Sequence, residues 1–112
     1  MGDQHVHSYY AATANDGTRY PRLEGSIRAD ICVVGGGFSG VATALSLAER
    51  GYSVVLLEAN RIGWGASGRN GGQMIAGISG EPNIKRQLGE AGYRLLRDIR
   101  YLGHDIIEER VR

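Results

Sequence analysis

The chain has 112 residues with 13 basic and 12 acidic side chains, and its net charge of +1 gives no reason to expect nucleic acid or a membrane as partner. The single cysteine excludes an internal disulfide and fits a reducing compartment. The 18 glycines stand out, at roughly twice the usual frequency of about 7%.

Residues 1–28 are polar and irregular and lack the apolar core of a signal peptide, so they predict an N-terminal arm. The most apolar stretch, residues 31–48, is interrupted by glycines and polar residues, whereas a bilayer span needs roughly 20 apolar residues. We therefore expect a soluble, cytoplasmic protein. His5 and His7 have no nearby third ligand, so no metal site is expected.

A strand, a helix and a second strand are predicted next, which together have the length of one parallel βαβ unit. The β-branched run 31–34 predicts a strand buried on both faces, with Cys32 as an inert buried thiol. Residues 38–50 predict a helix that ends at Gly51, and residues 53–58 predict the second strand. The helix periodicity predicts one buried stripe, formed by Val41, Ala44, Leu45 and Ala48.

The segment after the second strand does not have a helical pattern. Residues 61–73 contain five glycines, each costing about 1 kcal/mol relative to alanine in a helix, so an extended segment is predicted. Helical periodicity returns over residues 84–111, where Gly89, Gly92 and Gly103 indicate a kinked helix or two consecutive helices.

Residues 35–40 satisfy the pattern G-x-G-x-x-G between the predicted strand and helix. In this pattern Gly35 permits the sharp turn, Gly37 lets a pyrophosphate approach the backbone, and Gly40 permits close contact between helix and strand. Phe38 and Ser39 begin the helix, whose first N–H groups favour phosphates. The motif alone is also compatible with a purely structural turn, but its setting between strand and helix favours dinucleotide binding.

Glu58 ends the second strand 18 residues after Gly40, the position of the carboxylate that accepts both hydroxyls of the adenosine ribose. Its charge repels a 2′-phosphate, which argues against NADP. Arg61 either lies along the adenine or is a solvated surface charge. The Ser67 hydroxyl either donates a hydrogen bond to a phosphate or caps a turn. Arg69 faces either a phosphate or solvent.

The stretch ADICVVGGGFSGVATALSLAERGYSVVLLEANRIGWGASGRNGGQ, residues 29–73, resembles the FAD-dependent amine and amino-acid oxidoreductases of the D-amino-acid oxidase superfamily. With SYYAATAN at residues 8–15, it is most similar to the gamma-glutamylputrescine oxidase group. The resemblance implies FAD as cofactor and a small-molecule amine as substrate, oxidised by hydride transfer to the flavin. It implies Glu58, Ala59 and Arg61 at the adenosine end, Ala66 and Ser67 near the pyrophosphate, and Asn70, Gly71, Gly72 and Gln73 running towards the flavin.

The expected fold class is α/β, an incomplete Rossmann-like FAD-binding domain followed by a long or kinked helix. Its expected divisions are an arm (1–28), the βαβ unit with the glycine-rich segment (29–80), and a helical segment (81–112) leading into a missing remainder or a complementary subunit. No catalytic residue is expected within it. Two alternatives remain: an NAD-dependent dehydrogenase, which requires a helix directly after Glu58, and a non-catalytic FAD-binding subunit of a split enzyme.

Overall fold

The computed structural model describes residues 5, 7–15, 17–75 and 77–112. These residues form two compact units, 1–71 and 72–112. The first unit contains a small parallel sheet with one helix against it, and the second consists of a connecting segment and a long helix. No helix of the described ranges is long and apolar enough to cross a membrane.

The arm contains one helical turn, α1 (Tyr9–Ala12), where the sequence predicted an irregular chain. Ser8 supplies the cap, because its hydroxyl accepts a hydrogen bond from the Ala11 N–H at 3.2 Å. At the other end the Thr13 hydroxyl donates to the Tyr9 carbonyl at 2.8 Å. Short polar side chains at both ends thus close a turn that is too short to show hydrophobic periodicity.

Strand β1 (Ile31–Val34) and strand β2 (Val54–Leu57) are parallel, and helix α2 (Phe38–Glu49) connects them. In their register Ile31 lies opposite Val54. The α/β class and the βαβ arrangement predicted from the sequence are therefore confirmed.

The face of α2 that packs on the sheet differs from the predicted stripe. Its partly buried residues include Gly40, Ala44 and Leu47. The prediction was wrong for three positions, since Val41, Leu45 and Ala48 are exposed.

Gly40 is the physical reason for this rotation of α2. A Cβ atom at Gly40 would overlap the carbonyl oxygen of Gly35 and lie 3.5 Å from Cγ1 of Val33. The backbone of the helix therefore approaches the end of β1 as closely as only glycine permits. Because Gly40 faces β1, the residues on the same side of the helix, Ala44 and Leu47, also face the sheet.

Strand β1 is covered on one face only, whereas all four residues of β2 are partly buried. Ile31 and Val33 are partly buried, whereas Cys32 is exposed and Val34 is 82% exposed. The predictions of a strand buried on both faces and of a buried Cys32 thiol were therefore wrong for the described chain. The reason is that α2 packs on the face of β1 that carries Val33, whose Cγ1 lies 3.5 Å from the Cβ position of Gly40.

Helix α3 (Glu81–Val111) bends at Gly89, whose φ of 68° and ψ of −176° are not helical. The predicted kinked helix is confirmed, and it begins three residues before the predicted start. Gly80, with φ of 78°, precedes it, and proline lies in its first turn, where a missing N–H costs no helical hydrogen bond.

Side-chain contacts bridge this kink. The Tyr93 hydroxyl donates a hydrogen bond to the Glu81 carboxylate, and this bond raises the pKa of Tyr93. The Lys85 ammonium lies 3.0 Å from a carboxylate oxygen of Glu90 and 5.1 Å from the centroid of the Tyr93 ring. Residues twelve apart in a straight helix are separated by about 18 Å along the axis, so the contact between Tyr93 and Glu81 requires the bend.

The Gly40→Ala variant of the intact protein is expected to unfold at a lower temperature than the wild type. Its methyl group must push α2 away from Gly35, and overpacking of this kind costs typically about 1–3 kcal/mol. Gly17→Ala is the matched control, because a Cβ there meets no atom within 4 Å. Equal thermal midpoints for the two variants would contradict the close approach of α2 to β1.

The Gly89→Ala variant is expected to lower stability, because the backbone angles of Gly89 cost a non-glycine residue about 1–3 kcal/mol. Gly103→Ala in the same helix is expected to raise stability by about 1 kcal/mol, since its Cβ enters open space. Thermal unfolding of both variants measures the difference. A stabilising Gly89→Ala substitution would indicate a continuous helix instead of a kink.

Candidate cofactor-binding site

The glycine loop leaves β1 through a turn that only glycine adopts readily. Gly35 has φ of 105°, in the region that disfavours side chains. Its N–H still donates to the Leu57 carbonyl at 2.7 Å, which extends the pairing of the two strands by one bond. Gly37 then caps α2 with its backbone only, because it has no side chain to bond the first N–H groups of the helix.

The peptide groups around Gly36 are held from both sides. The Gly36 N–H donates to Oε2 of Glu58 at 2.7 Å, and the Gly36 carbonyl accepts from the Gly63 N–H at 2.8 Å. Gly36 is the only buried residue in the described part of the chain. A Cβ there would lie 2.6 Å from Cδ1 of Ile62 and 3.2 Å from Cβ of Glu58.

Sequence reasoning did not single out Gly36, because the motif leaves its position variable. The run of three glycines at 35–37 was the available signal.

The missing side-chain cap of α2 is supplied by Ser67, which lies 29 residues after the helix begins. Its hydroxyl oxygen accepts a hydrogen bond from the Phe38 N–H at 2.9 Å. A Cβ at Gly37 would lie 2.9 Å from this oxygen, so the absence of a side chain there makes room for the serine. Of the two roles considered for Ser67, the structure contains a cap, and the hydroxyl hydrogen is still able to turn towards another acceptor.

The Glu58 carboxylate lies beside the glycine loop and accepts two backbone hydrogen bonds. Gly36 donates to one oxygen, and the Asn60 N–H donates to the other at 3.0 Å. These bonds, that from Gly36 first, lower the pKa of Glu58 below its ordinary value of 4.5, against a smaller opposing effect of burial. Glu58 is therefore ionised at neutral pH. Ala59 is exposed and Arg61 is partly buried.

The segment after Glu58 is folded more tightly than the extended chain that was predicted. It contains turns and one short 3₁₀ helix, Ala66–Gly68. The Asn70 side-chain amide donates to the carbonyls of Ala66 and Ser67 at 2.9 and 3.0 Å. Three residues of 3₁₀ helix do not make the helix directly after Glu58 that an NAD-dependent dehydrogenase requires.

Arg69 folds back onto its own loop. Its Nε donates to the Trp64 carbonyl at 2.8 Å, and its guanidinium lies 5.5 Å from the centroid of the Trp64 ring. His5 meets the same ring edge to face at 5.1 Å. Trp64 therefore serves as an anchor within the first unit, and the Arg69 guanidinium is engaged with it.

The predicted site residues are divided between the two units. Residues from Gly35 to Gly71 lie in the first unit, whereas Gly72 and Gln73 belong to the second. Gly71, Gly72 and Gln73 are all exposed in chain without regular secondary structure, and Gly72 has φ of 65°. The structure thus brings together the glycine loop, Glu58 and Ser67.

The donor groups at the start of α2 fit a diphosphate. Within the ranges that the structure describes, the backbone N–H groups of Gly37, Ser39 and Gly40 have no hydrogen-bond acceptor. They lie at the positive end of the helix dipole. The described part of the chain contains no cluster of three His, Cys, Asp or Glu side chains that could hold a metal ion. The loop is therefore equipped for an anionic group, as the pyrophosphate of FAD requires.

Comparison with known proteins gives a consistent result. Residues 30–111 match the family described as FAD dependent oxidoreductase. The chain is 47% identical over 110 residues to gamma-glutamylputrescine oxidoreductase of Escherichia coli, which covers 97% of this chain and 26% of that protein. It is 43% identical over 109 residues to the probable oxidoreductase OrdL of Haemophilus influenzae, covering 96% of this chain and 25% of the relative.

A more distant relative is the bifunctional protein MnmC of Verminephrobacter eiseniae, which acts in the biosynthesis of tRNA 5-methylaminomethyl-2-thiouridine. It is 33% identical over 90 residues, which cover 80% of this chain and 14% of the relative. The chain thus spans about a quarter of the length of its first two relatives. No solved structure matches it.

Glu58 is expected to make the stability of the intact protein depend on acid pH. Because its folded pKa is lowered, its contribution is present above 4.5 and is lost as the pH falls through the folded pKa. Unfolding of wild type and Glu58→Gln, followed from neutral pH to below 4.5, should show a steeper loss for the wild type. Glu24→Gln, an exposed control, should keep the wild-type slope. Parallel curves for wild type and Glu58→Gln would refute this role of the carboxylate.

Proposed function

Because the chain belongs to the family of FAD-dependent oxidoreductases, we propose that it forms the dinucleotide-binding part of an enzyme that oxidises an amine. The observation that carries the proposal is the meeting of Glu58 and Ser67 at the start of α2. A charged carboxylate and a group of free backbone donors, placed on either side of one glycine loop, match the ribose and pyrophosphate of FAD.

The pyrophosphate is assigned to the first turn of α2. The N–H groups of Ser39 and Gly40 are donors without acceptors in the described chain, and they lie at the positive end of the helix dipole. Ser67 keeps its oxygen on the Phe38 N–H while its hydroxyl hydrogen donates to the phosphate. Ala66 precedes this serine and adds no side-chain bulk beside the phosphates.

The adenosine is assigned to the Glu58 side of the loop. The carboxylate uses one acceptor site of each oxygen for Gly36 and Asn60, and its remaining lone pairs are available to the two ribose hydroxyls. Its negative charge disfavours a 2′-phosphate. Ala59 and Arg61, the next residues along, are proposed to border the adenine.

The chain from Asn70 to Gln73 is proposed to lead from the pyrophosphate towards the flavin. Gly71 and Gly72 are exposed and carry no side chain that would keep a cofactor away from the backbone. When bound, FAD supplies the acceptor for a hydride taken from the carbon that bears the amine. The residues of this chain orient the cofactor for that step, and the substrate pocket is proposed to lie in other parts of the enzyme.

For the substrate we propose a primary or secondary amine of the gamma-glutamylputrescine type, with an amino acid as the alternative. The proposal is supported by the 47% identity to gamma-glutamylputrescine oxidoreductase of Escherichia coli. Loss of hydride from the carbon bearing the amine leaves an iminium group, which water converts to an aldehyde and ammonia in the case of a primary amine.

The intact protein is expected to purify with a flavin absorption spectrum and to lose that colour when gamma-glutamylputrescine is added without oxygen. The bleaching reports transfer of a hydride to the flavin. The matched control is the same compound acetylated on the amine of its putrescine end. It lacks the amine proposed to be oxidised but keeps the glutamyl α-amine, and it should leave the spectrum unchanged. An amino-acid panel tests the alternative substrate class.

The outcomes separate the two parts of the proposal. A protein that carries no flavin and cannot be reconstituted with FAD would contradict the assigned site. A yellow protein that is bleached by neither amines nor amino acids would leave the site in place and refute the proposed substrate class.

A further inference from the structure

The proposed site contains a second layer of contacts behind Ser67. The 3₁₀ helix Ala66–Gly68 is only three residues long, and its carbonyls at the end have few helical partners. The side-chain nitrogen of Asn70 donates to both the Ala66 carbonyl and the Ser67 carbonyl, at 2.9 and 3.0 Å. The Arg69 N–H also donates to the Ala66 carbonyl, at 3.1 Å.

These bonds determine where the Ser67 hydroxyl lies. The Ala66 and Ser67 carbonyls belong to the two peptide groups that flank the Cα of Ser67, so fixing both limits rotation of the backbone at Ser67. The other side of the turn is fixed as well, since a Cβ at Gly68 would overlap the Gly63 carbonyl. Gly63 in turn donates its N–H to the Gly36 carbonyl. The serine is therefore held between the glycine loop and the Asn70 amide.

From this geometry we infer that Asn70 is a positioning residue, whose side chain acts on cofactor binding through Ser67 and not by touching the cofactor. The inference rests on the proposed function, because it concerns the hydroxyl assigned to the pyrophosphate. The chemistry suits asparagine: its planar amide offers two donors on a short side chain, as two neighbouring carbonyls require. Aspartate has no such donors when ionised.

The inference is tested by a double-mutant cycle with Asn70→Ala, Ser67→Ala and the combined variant in the intact protein. Affinity for FAD, ADP and adenosine is measured on protein freed of its cofactor. Loss of one hydrogen bond to the phosphate lowers affinity roughly 2- to 12-fold. We expect that loss for FAD and ADP in each single variant, and no further loss in the double variant, because both substitutions remove the same contact.

Adenosine distinguishes positioning from general damage to the fold. It has no phosphate, so its affinity should be the same in wild type and Asn70→Ala, whereas a disordered site would lose adenosine as well. Asn15→Ala, the same substitution at an exposed asparagine of the arm, is the matched control and should keep the wild-type affinities.

If the affinity losses of the two single variants multiply in the double variant, the inference is overturned, because Asn70 then acts on the cofactor independently of Ser67. An unchanged ADP affinity in Asn70→Ala would overturn it too. Failure of the wild type to bind FAD and ADP would overturn both this inference and the proposed function. If the wild type binds FAD and ADP but the double-mutant cycle lacks the expected pattern of losses, the inference alone is refuted.

Discussion

The organisation of the first unit depends on how the peptide groups of Gly36 are held. Its N–H is bonded to the Glu58 carboxylate and its carbonyl to the Gly63 N–H, so the end of β1, the end of β2 and the following loop meet at one residue. In the buried position of Gly36, unpaired polar groups would cost free energy, and these two bonds satisfy both of them. The same bonds fix the carboxylate beside the start of α2.

Close backbone contacts at two glycines then determine how α2 packs on the sheet and how its N-terminus is capped. Gly40 sets the rotation of α2 by its approach to Gly35, and Gly37 leaves space for the hydroxyl of Ser67. The helix therefore takes its N-terminal cap from a residue far along the chain. The structural bond and the proposed phosphate contact involve the same hydroxyl, so the proposal couples stability and cofactor binding at this serine. The proposed role of Asn70 extends that coupling by one further residue.

The charges of the site follow from the same geometry. Backbone N–H groups hold the pKa of Glu58 below its ordinary value, so the carboxylate is charged at the position proposed for the ribose hydroxyls. The start of α2 offers donors and a positive dipole end only a short distance along the loop. One glycine loop thus has a carboxylate at one end and N–H donors at the other, the groups proposed to meet the ribose and the pyrophosphate of FAD. Cys32 and Val34 of β1 are exposed, which is a separate feature of the first unit.

The sequence by itself determined the βαβ unit, the kinked helix and the positions of Gly35, Gly40 and Glu58, because these depend on local conformation and on fixed spacing along the chain. Tertiary structure alone decided the side of α2 that packs, the capping by Ser67 and the roles of Gly36 and Asn70. Those depend on atoms from distant segments coming within a few ångströms, which periodicity and propensity do not encode. The short turn at Tyr9–Ala12 was missed for a different reason: a single turn carries no periodic signal.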